Sequence, residues 1–312
     1  MKKRIFAALL TVCMVMAMVV MPVHATREVT ETQETSQTEV GYCQHCQEVI
    51  PQDKWIPWDE MNTGPRTGHY YLAADIAAQP KQININLDDD LLRNEICLDL
   101  RGRTYSVTGL RPFLIYGIFS IMDSVGGGEI AVTGASNAHG AFCQLGKNTN
   151  SKDGSGVLNV YSGTLRRVND DKYQVSYGGL IYAAAGATVN LYDGKLIGGD
   201  VVPHLISKTN YAPLGGTIYA TGAYVNIHGG TVTGGSSTKN GGTLFVNTVN
   251  AKMSGGTLGG GYSANAGGAV YIRSGGTLNM MGGTIEVLTA PGSGTEIILR
   301  FKFRLSAEEE IH

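Results

Sequence analysis

Two cysteines, Cys43 and Cys46 in YCQHCQ, carry the sharpest chemical signal of this chain. The spacing supplies two soft sulfur donors at the separation of half a zinc site. In an oxidising compartment the same pair closes as a disulfide. His45, His69, Cys97 or His139 would complete a metal set. We expect Cys43, Cys46 and His69 to pin an amino-terminal cap over the first turn of the fold. Zinc and disulfide stay open as alternatives, with an idle pair behind them. Cys97 alternates with Ile96 and Leu98 and reads as a buried or edge thiol of a strand rather than a ligand. Asp88, Asp89 and Asp90 suggest calcium or acid catalysis, but nothing at catalytic spacing accompanies them and a solvated turn explains them better. His204 and His228 have no acidic or nucleophilic neighbour at an equivalent position and read as solvent-facing.

The elements that must position these residues are short strands. From Ile83 the sequence breaks into alternating runs of four to six residues, QININLDDD, ICLDLRGRTYSV, FLIYGIFSIMD and GGEIAVTG, the pattern of strands with one buried face. Four repeats follow, starting at Gly178, Gly215, Gly241 and Gly267 with spacings of 37, 26 and 26 residues, and VLNVYSGTLRRV from Val157 is a degenerate earlier copy. The longer spacing holds the insertion DVVPHLISKTNYAPL. No run is long enough to make a stable hairpin by itself. If equivalent runs pair in parallel, each backbone group finds a partner one coil away and each coil adds about 4.8 Å. The fold class expected is therefore all-β, a right-handed parallel β-helix with a small amino-terminal cap.

Aligned columns sharpen this expectation. Val189, Val225, Ala251 and Leu278 share one position, Leu191, Ile227, Met253 and Met280 another, and Leu196, Val232, Leu258 and Ile285 a third, as inward stacks require. Asn159, Asn190, Asn226, Lys252 and Asn279 fall between the first two and should form an outward asparagine ladder. Tyr182, Tyr219, Phe245 and Tyr271 place one aromatic per coil between aliphatic neighbours, so alternation turns them outward. Such a column is a candidate platform for sugar rings or a partner protein. It is also what braces a parallel sheet without any ligand.

The ends and composition set the context. Met1 to Arg4 is basic, Ile5 to Pro22 is apolar, and Val23 and Ala25 suit a secretory signal cleaved after Ala25, giving residues 1–25 as the signal. An uncleaved anchor is the alternative, since the run approaches the span of a bilayer. Membrane contact is expected only through this segment. Residues 26–40, rich in Thr, Glu, Gln and Ser, read as a disordered spacer. Residues 41–67 read as a cap module with both tryptophans, 68–288 as the β-helix, and 289–312 as a closing strand or a truncated tail. A formal net charge of −2 and no basic stripe argue against nucleic acid. Forty-three glycines without a triplet period exclude collagen and favour dense turns.

From about Gly68 to Val287 the chain resembles bacterial cell-surface β-helix proteins of the pectate-lyase-like superfamily, adhesin-like products of anaerobic gut bacteria. GGAVYIRSGGTLNMMGGTIEV and ICLDLRGRTYSV carry the likeness. The resemblance implies a secreted or surface-exposed, non-enzymatic scaffold presenting a binding face to glycan or another surface protein. It also implies a setting in which thiols persist, which brings zinc level with a disulfide at Cys43 and Cys46. A polysaccharide lyase or glycoside hydrolase acting on acidic polysaccharide is the runner-up. Enzymes of that superfamily use clustered aspartates, or lysine and arginine with calcium. Between Gly178 and Gly294 the charged residues are only Asp193, Lys195, Asp200, Lys208, Lys239, Lys252, Arg273 and Glu286, which form no such cluster.

Overall fold

Runs with one apolar face and two open hydrogen-bonding edges have to be layered, face against a core and edge against edge. The computed structural model describes residues 41–59, 66–78, 81–85, 94–134, 138–146, 156–184, 186–206, 209–211, 213–248, 250–273 and 275–286, without the side chains of 78, 138 and 204–211. The signal and spacer segments, Asp88 to Asp90 and the carboxy-terminal tail lie outside the described residues. The described chain is all-β and is dominated by three long, all-parallel sheets.

The first sheet has nine strands, Trp55–Pro57, Gly68–Tyr71, Glu95–Asp99, Ile118–Met122, Val157–Val160, Thr188–Leu191, Tyr224–Ile227, Asn250–Met253 and Thr277–Met280, in that order. The second runs from Ile76–Ala78 to Thr284–Ile285, and the third from Ile83–Ile85 to Val270–Ile272. From Gly68 onward the chain visits the first, second and third sheets in turn, then returns to the first one row further on. This order is compatible with a parallel β-helix. Trp55–Pro57 already pairs in parallel with Gly68–Tyr71, so the sheet begins inside the segment expected as a cap.

The register agrees residue for residue with the repeat alignment. Val189 lies beside Val225, Val225 beside Ala251 and Ala251 beside Leu278. Leu196, Val232, Leu258 and Ile285 form the matching row of the second sheet. The insertion that lengthens one repeat folds as a short antiparallel pair, His204–Ile206 with Thr209–Tyr211. Glycine at the repeat starts has a mechanical reason: Gly215, at φ 70°, opens its coil with a turn that L side chains rarely adopt. Its neighbour Gly216 faces the coil above, where a Cβ would land on the Gly242 carbonyl oxygen.

Inside, one continuous core runs through the rows. Its amino-terminal end is aromatic: Trp58 lies 5.4 Å from Tyr70 and 6.4 Å from Phe119, and Phe113 lies 4.9 Å from Phe119 and 5.1 Å from Phe142. Later rows narrow to Ala220, Ala223, Val225 and Ala251, all buried.

Candidate functional site

A side-chain column runs along the outer face of the first sheet. Trp55, His69, Cys97, Ser120, Asn159, Asn190, Asn226, Lys252 and Asn279 are successive register partners. Its middle is the expected ladder. Asn226 donates to Asn190 at 2.8 Å, Asn190 to Asn159 at 2.8 Å, and Asn159 to the Ser120 hydroxyl at 3.1 Å. Its amino-terminal end is different, because His69 and Cys97 stand side by side there beneath the hairpin that carries Cys43 and Cys46.

That hairpin pairs Tyr42–Cys43 with Glu48–Val49. The Gln47 amide closes it by donating to the Cys43 carbonyl at 2.8 Å, with Gln47 itself at φ 59°. The turn brings the Cys46 amide to 3.4 Å from Cys43 Sγ, so a backbone donor points at that sulfur. Cys46 Sγ lies 3.3 Å from His69 Nε2. The donor atoms of Cys43, Cys46, His69 and Cys97 all lie within 4.8 Å of one another. The four cysteines among the described residues are free thiols. Cys43 and Cys97 are buried, His69 is half-buried and Cys46 is exposed.

The structure sorts the candidate ligands. Cys97 is a buried strand thiol, one of the two readings its alternation allowed, and it also belongs to the cluster. It does occupy a strand, but on the outward column, and the hairpin supplies its burial. His45, between the two cysteines, turns away: its Nδ1 lies 3.3 Å from the Tyr161 hydroxyl and its Nε2 3.9 Å from Glu95. His139 belongs elsewhere, stacked 4.9 Å from Tyr182.

The surroundings hold the hairpin down. Cys43 and Ile50 pack with Trp55, Cys97 and Met122, flanked by Tyr71 and Tyr161. Trp55 meets His69 edge-on at 5.3 Å and donates its indole N–H to the Ile50 carbonyl at 3.3 Å. Arg101 lies over the Tyr71 ring at 3.8 Å and near Trp55 at 5.6 Å. The thiols influence one another strongly. A hydrogen bond from Cys97, helped by the Cys46 backbone and opposed by burial, pulls the Cys43 thiol down to about 5. Burial, then the bond to Cys43 and its charge, push Cys46 up to about 12. The bond to Cys43 and burial hold Cys97 far above the usual thiol range.

The aromatic column forms on the third sheet. Tyr182, Tyr219, Phe245 and Tyr271 are consecutive register partners. Their rings stack at 5.3, 5.0 and 5.3 Å with interplanar angles of 7°, 12° and 18°. Burial along the stack is uneven, and at Phe245 the ring edge is covered as well as the faces. Phe245, with Tyr219 on one side and Tyr271 on the other, is 1% exposed, while the three tyrosines are half-buried. Burial, then the phenol of Tyr177, raises the Tyr182 hydroxyl above its ordinary value. Sequence reasoning missed two flanking rings, His139 and Tyr177, the latter 5.0 Å from Tyr219. It also missed a second stack just past the strand ends of the first sheet, Tyr161 on Tyr192 at 4.6 Å and Tyr192 on His228 at 4.9 Å. The signal was present, since each residue follows the second run of its repeat in VNVY-like positions. His228 is exposed as expected, and the His204 side chain lies outside what is described.

Carboxylates on adjacent coils serve the backbone. Asp99 accepts from the Arg101 and Ser124 amides at 3.0 Å each and from the Ser124 hydroxyl at 2.7 Å. Asp123 accepts from the Gly102 and Gly128 amides at 2.7 and 2.6 Å. Both hold corners between the first and second sheets. Among the described residues no helix is long and apolar enough to cross a membrane. Comparison of the chain with protein-family models, with curated proteins and with solved structures found no match.

Proposed function

We propose that this protein is an exported or surface-exposed, non-enzymatic, right-handed parallel β-helix of the pectate-lyase-like, adhesin-like kind, presenting the outer face of its third sheet to glycan or to another surface protein. One observation carries the reading: the unbroken stack of Tyr182, Tyr219, Phe245 and Tyr271, which lines up three half-buried tyrosines on one face, two in adjacent rows and one beyond Phe245. An aromatic edge with a phenolic hydroxyl offers apolar contact and a hydrogen bond together, the combination suited to a sugar or a partner loop. Phe245 acts in this reading as the spacer that keeps the row continuous. The use of Asp99 and Asp123 by backbone amides also favours a scaffold over the lyase or hydrolase alternative.

The test is a glycan array run in parallel with a turnover assay on polygalacturonate-like substrates. Saturable binding without sugar release is expected. Replacing both Tyr219 and Tyr271 by alanine should abolish that binding while the circular dichroism spectrum is preserved. Binding unchanged in the double variant would remove the tyrosine face from the account. Sugar release would replace the scaffold with an enzyme, and no binding at all would leave a passive stalk.

A further inference from the structure

We propose that Cys43, Cys46, His69 and Cys97 form a closed, structural zinc site that staples the amino-terminal hairpin across the outer face of the first sheet. The argument is geometric and does not depend on the binding-face reading. Three thiols and one imidazole converge from three separate pieces of chain, with every donor atom within 4.8 Å of the others. Tetrahedral zinc, with Zn–S of about 2.3 Å and Zn–N of about 2.0–2.1 Å, needs donors roughly 3.5–3.8 Å apart. The Cys46 Sγ to His69 Nε2 separation of 3.3 Å is already near that value. The amide of Cys46 directed at Cys43 Sγ is the kind of second contact that orients a thiolate ligand.

A disulfide fits the same residues poorly. Any pairing among Cys43, Cys46 and Cys97 leaves a third thiol and an imidazole in the cluster with nothing to hold. Four donors are the full complement of a structural site, and no position is left open for water or substrate. Soft sulfur donors with one imidazole select zinc over the oxygen-seeking cations. Binding is not a redox step: Zn2+ enters, the thiol protons leave to solvent, and neutral His69 coordinates through Nε2.

The staple has a defined span. His69 and Cys97 lie on neighbouring rows of the sheet. From the same turn, His45 reaches Tyr161 and Gln44 contacts Ser162 at 3.5 Å, two rows beyond Cys97. Metal binding would therefore fix a hairpin that bridges several coils.

Native mass spectrometry of the purified chain, with metal analysis, should find one zinc ion per chain and no two-proton loss. Cys97→Ser should lose stoichiometric zinc after dialysis against a chelator that leaves the parent loaded. Cobalt(II) in the parent should give the ligand-field spectrum of a tetrahedral thiolate site, and Cys97→Ser should not. Hydrogen exchange supplies a readout independent of metal content: chelation should strip protection from residues 41–57 and spare Thr188–Leu191. A Cys43–Cys46 disulfide in the isolated chain, or reduced protein that takes up no added zinc, would overturn the site. Zinc bound but removable without loss of protection in 41–57 would overturn the staple.

Discussion

Asp99 sits where the chain turns from the first sheet into the second, fully buried, with both carboxylate oxygens accepting hydrogen bonds and Arg101 Nε at 3.5 Å. Removing one member of a buried charged pair leaves the other uncompensated and costs about 3–5 kcal/mol. Asp99→Ala should therefore lower the free energy of unfolding by an amount in that range, read in urea as a lower midpoint at unchanged slope. Glu129 and Arg166 form a contrasting pair, at 2.6 Å but with Arg166 40% exposed, and Glu129→Gln should change stability by less than about 1 kcal/mol. Much of this scale was legible. The alternation that put Cys97 between Ile96 and Leu98 fixed its column, and following the asparagine column backwards from Asn159 leads through Ser120 to Cys97 and His69. What local pattern could not supply was the hairpin above that column, because a contact between Cys43 and Cys97 is a tertiary fact with no periodicity to announce it. The same reason hid His139 and Tyr177, which enter the aromatic stack from outside the regular repeat.

Between elements, stability comes from rows that meet backbone to backbone and from side-chain ladders between them. Gly216→Ala should be severe, since its Cβ would strike the Gly242 carbonyl and overpacking against backbone costs about 1–3 kcal/mol or more. Gly126→Ala tests the converse: at φ 94° with open space around it, it should cost only the conformational penalty of about 1–2 kcal/mol. A melting comparison in which the two variants behave alike would contradict this account of coil packing. Lys252 interrupts the asparagine ladder between Asn226 and Asn279. Lys252→Asn would allow two further ladder bonds, worth about 0.5–1.5 kcal/mol each at most. The melting temperature should rise by about 2–4 °C per kcal/mol gained in a chain of this size. Register was the most legible property of all, because a two-residue side-chain period permits only alternate alignments once the apolar columns are matched. The start of the first sheet was less so, since WIP with its proline does not advertise a strand.

In the three parallel sheets each row pairs only with the rows beside it, so stability need not be uniform along the stack. The amino-terminal rows are packed with aromatics beneath the hairpin, whereas the last described row exposes Ile272 at 41%, Met280 at 42% and Met281 at 69%. Native-state hydrogen exchange should accordingly find the weakest protection in residues 270–286 and the strongest in 95–132, and a uniform profile would argue against row-by-row opening. The repeats made this layered plan readable from sequence, while the cross-section of three sheets emerged only from which runs pair. The position of Cys97 on the outward column has one more consequence. A slip of one residue between Glu95–Asp99 and Gly68–Tyr71 would turn Cys97 into the core and Leu98 out towards His69. A metal held by Cys43, Cys46, His69 and Cys97 would then find one donor missing, so the site can act as a proofreader of strand alignment, closing only on a chain that has laid its early rows in the correct frame.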